Sequence, residues 1–241
     1  MSAGAQERVQ GATVPPTGMR MGRWSRLLAA MVIPIGPAAV AVLRFRLPYF
    51  TADNPVDVAS SVIARPEAQS LVLWLAFVAV LTLVPAVVWV GRLTASRVPR
   101  LTAAALLLLI PGYLALSWFA AGDLLLWAGA QQGLDPATLA SLYTAMHPTS
   151  EIAAGLFVVG HVLGTVLLGV ALWRSRTVPR WAAVATIVSQ PLHFVAAVAV
   201  QSPSLDLVAW GLNAVGFAAA GVALARGRDQ HVTTNVGSGV G

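Results

Sequence analysis

The chain has no cysteine and no lysine. Without cysteine there is no disulfide framework, no thiolate nucleophile and no cysteine metal site, and the redox compartment leaves no mark. Without lysine there is no Schiff-base chemistry and no attachment point for retinal. Charge is scarce: 10% of the residues are charged against 57% hydrophobic, far from the balance of a soluble domain. The chain therefore reads as an integral membrane protein. The net charge of +6 comes entirely from arginine, set in short clusters between apolar runs as topology determinants are, so nucleic acid is excluded as a partner. Also missing are a phosphate loop, GxSxG, HExxH, a dinucleotide fingerprint, CxxCH, an arginine-rich voltage-sensor helix and a selectivity-filter loop. Nothing in the sequence therefore supports a channel or a nucleotide-driven pump.

The apolar runs predict an all-α, six-helix transmembrane bundle with two short outer interfacial helices. Residues 1–22 read as a disordered cytoplasmic tail, 23–228 as the six-span domain and 229–241 as a second cytoplasmic tail. The first span, Leu27 to Leu43, follows Arg20, Arg23 and Arg26; five further spans come after it, which argues against a signal peptide. Pro34, Gly36 and Pro37 should kink or break it. Leu71 to Val90 is the second span, and Leu101 to about Gly122 the third, kinked at Pro111 and either projecting past the bilayer or bending near Asp123. The central stretch, Ile152 to Val200, is a hairpin of spans four and five around Arg174, Arg176 and Arg180, with Ser150 as its expected N-cap. Leu207 to Ala225 is the sixth span. Asn54-Pro55 and Asp135-Pro136 each have the form of an N-cap followed by proline in the first turn, and each opens a predicted interfacial helix.

With both termini cytoplasmic, 12 of the 15 arginines fall inside, leaving Arg44, Arg46 and Arg65 outside. The composition, rich in arginine, alanine and valine, fits a bacterial plasma membrane. The turn VPR recurs at Val98 and Val178, an offset that also aligns Phe77 with Phe157 and Pro111 with Pro191. DLLLW at Asp123 pairs with DLVAW at Asp206 at a slightly longer offset. Spans two and three thus read as a diverged parallel copy of spans four and five.

Ionisable and polar residues inside spans are costly and mark candidate sites. His161 and His193 come out level with one another, roughly 10 to 14 Å below the outer surface at about 1.5 Å per residue, with Asn213 near the same depth. Trp210 and Asp206 share a helical face with Asn213, and Gln190 and Ser189 lie one turn from His193. This stripe reads as a small-molecule or lipid pocket open to the acidic outer side, or as polar packing between helices. A haem or metal ion held by His161 and His193 is a further, less favoured reading of the unknown cofactor content. Asp123 and Asp206 are candidate acid–base groups; the competing expectation makes each the N-cap of a new helical segment.

At LLGVALWRSRTVPRWAAV, preceded by GHVLG, the sequence resembles uncharacterised actinobacterial multi-pass membrane protein families of unknown function. The resemblance implies an all-helical inner-membrane fold and brings no catalytic residues. Small integral-membrane terpene cyclases are similar in length and use acids at the membrane edge. The Asn and Trp-Glu pattern they would place around Glu67 is missing here, and acid catalysis by Asp123 and Asp206 stays the alternative to binding.

Overall fold

The computed structural model describes residues 22–227. Among them the elements in chain order are α1 (Arg23–Val32), α2 (Ile35–Arg46), α3 (Pro55–Ala64), α4 (Pro66–Ala95), α5 (Pro99–Gln131), α6 (Pro136–Thr144), α7 (Thr149–Ser175), α8 (Arg180–Phe194), a π-helical turn (Val195–Ala199) and α9 (Pro203–Ala225). Six segments are long and apolar enough to cross a membrane: Arg23–Arg46, Pro66–Ala95, Pro99–Gln131, Thr149–Ser175, Arg180–Ala199 and Pro203–Ala225. The protein is a multi-pass membrane protein, all-α over its described residues. The predicted tails 1–22 and 229–241 lie almost wholly outside those residues.

Proline sets several of the boundaries. Pro34 cannot donate to the carbonyl one turn back, and the first span divides there into α1 and α2. Pro85, Pro111 and Pro191 are absorbed within α4, α5 and α8. Asn54 caps α3 by accepting from the Asp57 backbone N–H, and Asp135 caps α6 by accepting from those of Ala137 and Thr138. Ser150 does not cap α7: that helix begins at Thr149, and Ser150 lies in its first turn without a capping bond.

The third span does not bend at Asp123. α5 runs as one helix of 33 residues, about 50 Å at 1.5 Å per residue, and so outreaches a hydrocarbon core of about 30 Å. Its projecting end has a structural use: Leu126 packs with Ala59 and Val62 of α3 and Leu139 and Ala140 of α6, forming a small second core that holds the two short helices against the bundle. The main core joins α1, α2, α4, α5, α7, α8 and α9. Large apolar side chains such as Trp74, Leu107, Trp118 and Leu163 face outward, as a lipid-facing surface requires.

Small residues set the closest helix approaches. A Cβ on Gly160 of α7 would come within 2.6 Å of the Leu108 carbonyl oxygen and 2.9 Å of the Gly112 Cα on α5. On Gly216 of α9 it would meet the Thr186 hydroxyl of α8 at 2.3 Å. The two VPR turns occupy corresponding places, between α4 and α5 and between α7 and α8, and the Arg97 Nη1 donates to the Ser175 carbonyl at 2.5 Å, tying one turn to the other. The DLLLW and DLVAW segments do not correspond: Asp123 lies deep in α5, whereas Asp206 opens α9.

Candidate functional site

The site is built where α2, α7, α8 and α9 converge, at the end of the bundle that carries α3 and α6. Ser202 caps α9 by accepting from the Leu205 backbone N–H at 3.3 Å. Asp206 therefore sits one turn inside the helix, and the expectation that it is the N-cap is overturned. Just before the cap, Gln201 has a left-handed φ of 50°. That turn brings α9 back against the end of α8 within a few residues of the π turn.

Asp206 is fully buried and doubly held. Its Oδ2 accepts from Arg44 Nε at 2.6 Å and its Oδ1 from His193 Nδ1 at 2.5 Å. A buried carboxylate is tolerated when it is paired and hydrogen-bonded in this way. The Arg44 guanidinium also lies over the Phe50 ring, 4.5 Å from its centroid. Arg44, read in the sequence only as one of the three outer arginines, is thus part of the site.

His161 is fully buried in the middle of α7. Its Nδ1 lies 2.5 Å from the Phe157 carbonyl oxygen, which can only accept, so the proton is on Nδ1 and Nε2 carries a lone pair. The ring stacks on Phe157 at 4.3 Å and on Trp210 at 5.6 Å, and the His193 ring is 5.3 Å away. His193 meets Trp210 edge-on at 5.5 Å. The two histidines and Trp210, on three different helices, form one aromatic cluster.

Asp123 belongs to a second centre. It is not an N-cap but lies within α5, which continues through it as one helix. Its Oδ1 accepts from the Tyr49 hydroxyl and from Gln69 Nε2, the latter at 2.9 Å. Burial, followed by the negative charge of Asp123, pushes the Tyr49 phenol well above its ordinary pKa. Neither Tyr49 nor Gln69 stands out in the sequence, because their role depends on contacts between segments far apart in the chain.

A cavity of about 280 Å³ separates the two centres. Asp123, Tyr49, Arg44, His161, His193 and Trp210 all border it. Asp206 lies behind Arg44 and His193 and reaches it only through them. The remainder of the lining, the Tyr143 phenol aside, is apolar and includes Val158, Phe194 and Val198, each of which also has an outward-facing, exposed surface. The cavity therefore has a polar end and an apolar side near the outer surface of α7 and the π turn. A second cavity, about 330 Å³, lies beside it, and Phe119 and Tyr143 border both.

Gln190 and Asn213 are buried but do not border the cavity, and neither side-chain amide has a hydrogen-bond partner. His161 Nε2 and Trp210 Nε1 are likewise buried and unpartnered. Unpaired buried polar atoms are uncommon. Here they gather on α7, α8 and α9. Among the described residues no set of three histidine, aspartate or glutamate side chains has the arrangement of a metal site.

No curated protein and no solved structure matches the chain. A family model described as a domain of unknown function, DUF4386, matches residues 24–225, from the start of α1 to the end of α9, and the chain belongs to that family.

Proposed function

We propose that this protein binds an amphiphilic small molecule or lipid in a bacterial plasma membrane, with its polar head among Arg44, Asp123, His161 and His193. The apolar part of the ligand leaves past Val158, Phe194 and Val198 toward the acyl chains. The observation that carries this reading is the cavity itself. Six titratable side chains, Arg44, Tyr49, Asp123, Tyr143, His161 and His193, border a space that is otherwise largely apolar, in the manner of small-molecule sites. The arginine distribution supports both termini being cytoplasmic, which makes the polar end the outward one.

Lipid extraction and mass spectrometry of the detergent-purified protein test the proposal. A co-purifying amphiphile in near-stoichiometric amount is expected from the wild type. Its loss is expected from Ala197→Phe, which fills the cavity from the π turn. Equal lipid content in the two proteins would refute it.

A second reading, a membrane-embedded enzyme, draws on the His193–Asp206 pair. A carboxylate accepting from Nδ1 orients an imidazole as a general base. Turnover of the extracted amphiphile that disappears in Asp206→Asn, with binding retained, would favour this reading. Retained turnover in both Asp123→Asn and Asp206→Asn would exclude acid–base catalysis by these carboxylates.

A further inference from the structure

The binding reading leaves the chemistry of the head group open, and the histidine tautomers supply it. His161 Nδ1 is bound to a backbone carbonyl and His193 Nδ1 to a carboxylate that Arg44 also neutralises. Both acceptors fix the proton on Nδ1. With no counterion in contact with its ring, buried His161 is the neutral imidazole, so its Nε2 is an acceptor only. That atom is completely buried and unpartnered, and His161 borders the cavity. The His193 ring, 5.3 Å away, borders the same space with its Nδ1 likewise engaged. One imidazole lone pair, on His161 Nε2 beside the cavity, thus lacks a donor.

Charge narrows the choice. Asp206 is the carboxylate that both Arg44 and His193 contact, so the guanidinium is already engaged. Asp123 is held by a phenol and an amide, both neutral donors. An anionic head would meet the Asp123 carboxylate without a free cation to offset it. An ether or ester has no proton to give to Nε2.

We infer that the ligand is a neutral alcohol, a long-chain amphiphile whose hydroxyl donates to Nε2 of His161 beside His193. This inference rests on the amphiphile-binding reading. A hydroxyl satisfies an acceptor that otherwise stays buried and unpaired, an arrangement that discriminates strongly against analogues lacking the donor.

The test holds the tail constant and changes the head. Native mass spectrometry of the purified protein is run with 1-dodecanol, dodecyl methyl ether, dodecanoic acid and dodecylamine added in turn. The alcohol is expected to bind at least tenfold more tightly than the ether or the acid. That preference is expected to vanish in His161→Phe, which keeps an aromatic ring and removes the acceptor. The comparison of heads on the wild type stands even if the variant fails to fold. Equal binding of alcohol and ether, or a preference for the acid, would overturn the inference while leaving amphiphile binding intact. A preference for the amine would also overturn it, shifting recognition to a cation at Asp123. Binding of none of the four would overturn the amphiphile reading itself and this inference with it.

Discussion

Arg44 Nε and Asp206 Oδ2 lie 2.6 Å apart across 162 residues of sequence, joining the last turn of α2 to the first turn of α9. This contact fixes the polar end of the cavity, because the same carboxylate orients His193. Arg44→Met leaves Asp206 buried with one partner in place of two. A loss of about 1.5–3 kcal/mol follows from removing a charged hydrogen bond, at the lower end because the Arg44 side chain is 25% exposed. The double variant Arg44→Met/Asp206→Leu should recover part of it. Denaturant unfolding in detergent measures the cycle, and additive losses would show that the pair does not couple.

Stability should fall in alkaline solution. The Tyr49 and Tyr143 phenols are both raised, chiefly by burial and then by Asp123. A raised phenol contributes stability that is complete below its unfolded pKa, about 10, and is lost as pH climbs toward the folded value, because the unfolded chain then binds fewer protons. Thermal midpoints taken from pH 8 to pH 11.5 should decline above about pH 10, and less steeply in Tyr49→Phe. A flat profile in the wild type would contradict the buried Tyr49–Asp123 contact.

Glycine at Gly160 and at Gly155 should behave oppositely. A methyl at Gly160 collides with the Leu108 carbonyl and Gly112 of α5, and Gly160→Ala is expected to cost about 1–3 kcal/mol as overpacking does. At Gly155 an added Cβ meets nothing within 4 Å, so Gly155→Ala should gain about 0.5–1 kcal/mol from helix propensity. The two variants compared in one unfolding assay settle the α5–α7 contact.

Topology is open to a direct test because the chain has no cysteine. Ser141→Cys on α6 and Ser96→Cys after α4 place single exposed thiols at opposite ends of the bundle. With a membrane-impermeant maleimide on intact cells, Ser141→Cys should label, and Ser96→Cys should label only after permeabilisation. The reverse pattern would invert the orientation drawn from the arginines.

The absorption spectrum and metal content of the purified protein address the haem and metal reading of His161 and His193. A cavity of about 280 Å³ is too small for a porphyrin, and among the described residues the histidines have no third ligand of their kind. A spectrum without a Soret band and sub-stoichiometric metal are expected. Stoichiometric metal would return the histidine pair to the role of a cofactor site.

The helices were legible because their signals are local. Pro34 ends α1, Asn54 and Asp135 cap α3 and α6, and the apolar runs have membrane length. His161, His193, Trp210 and Asp123 were legible as polar or aromatic residues in lipid-length runs, and the fold brings them to one cavity. The errors arose where a local motif competed with a distant contact. Asp before Leu-Leu or Leu-Val has the form of a cap, but Asp123 is engaged by Tyr49 and Gln69, and Asp206 by Arg44 and His193. Arg44 reads as a topology charge in the sequence because nothing within a helical turn of it indicates a carboxylate 162 residues away.

The seam between α5 and α7 carries one last implication. Where Gly112 and Gly160 let two backbones touch, no side chain stands between the helices, and His161 is the next residue along. The buried imidazole therefore belongs to the most tightly packed wall of the cavity, while another wall is the Val195–Ala199 stretch, where α8 ends in a π-helical turn.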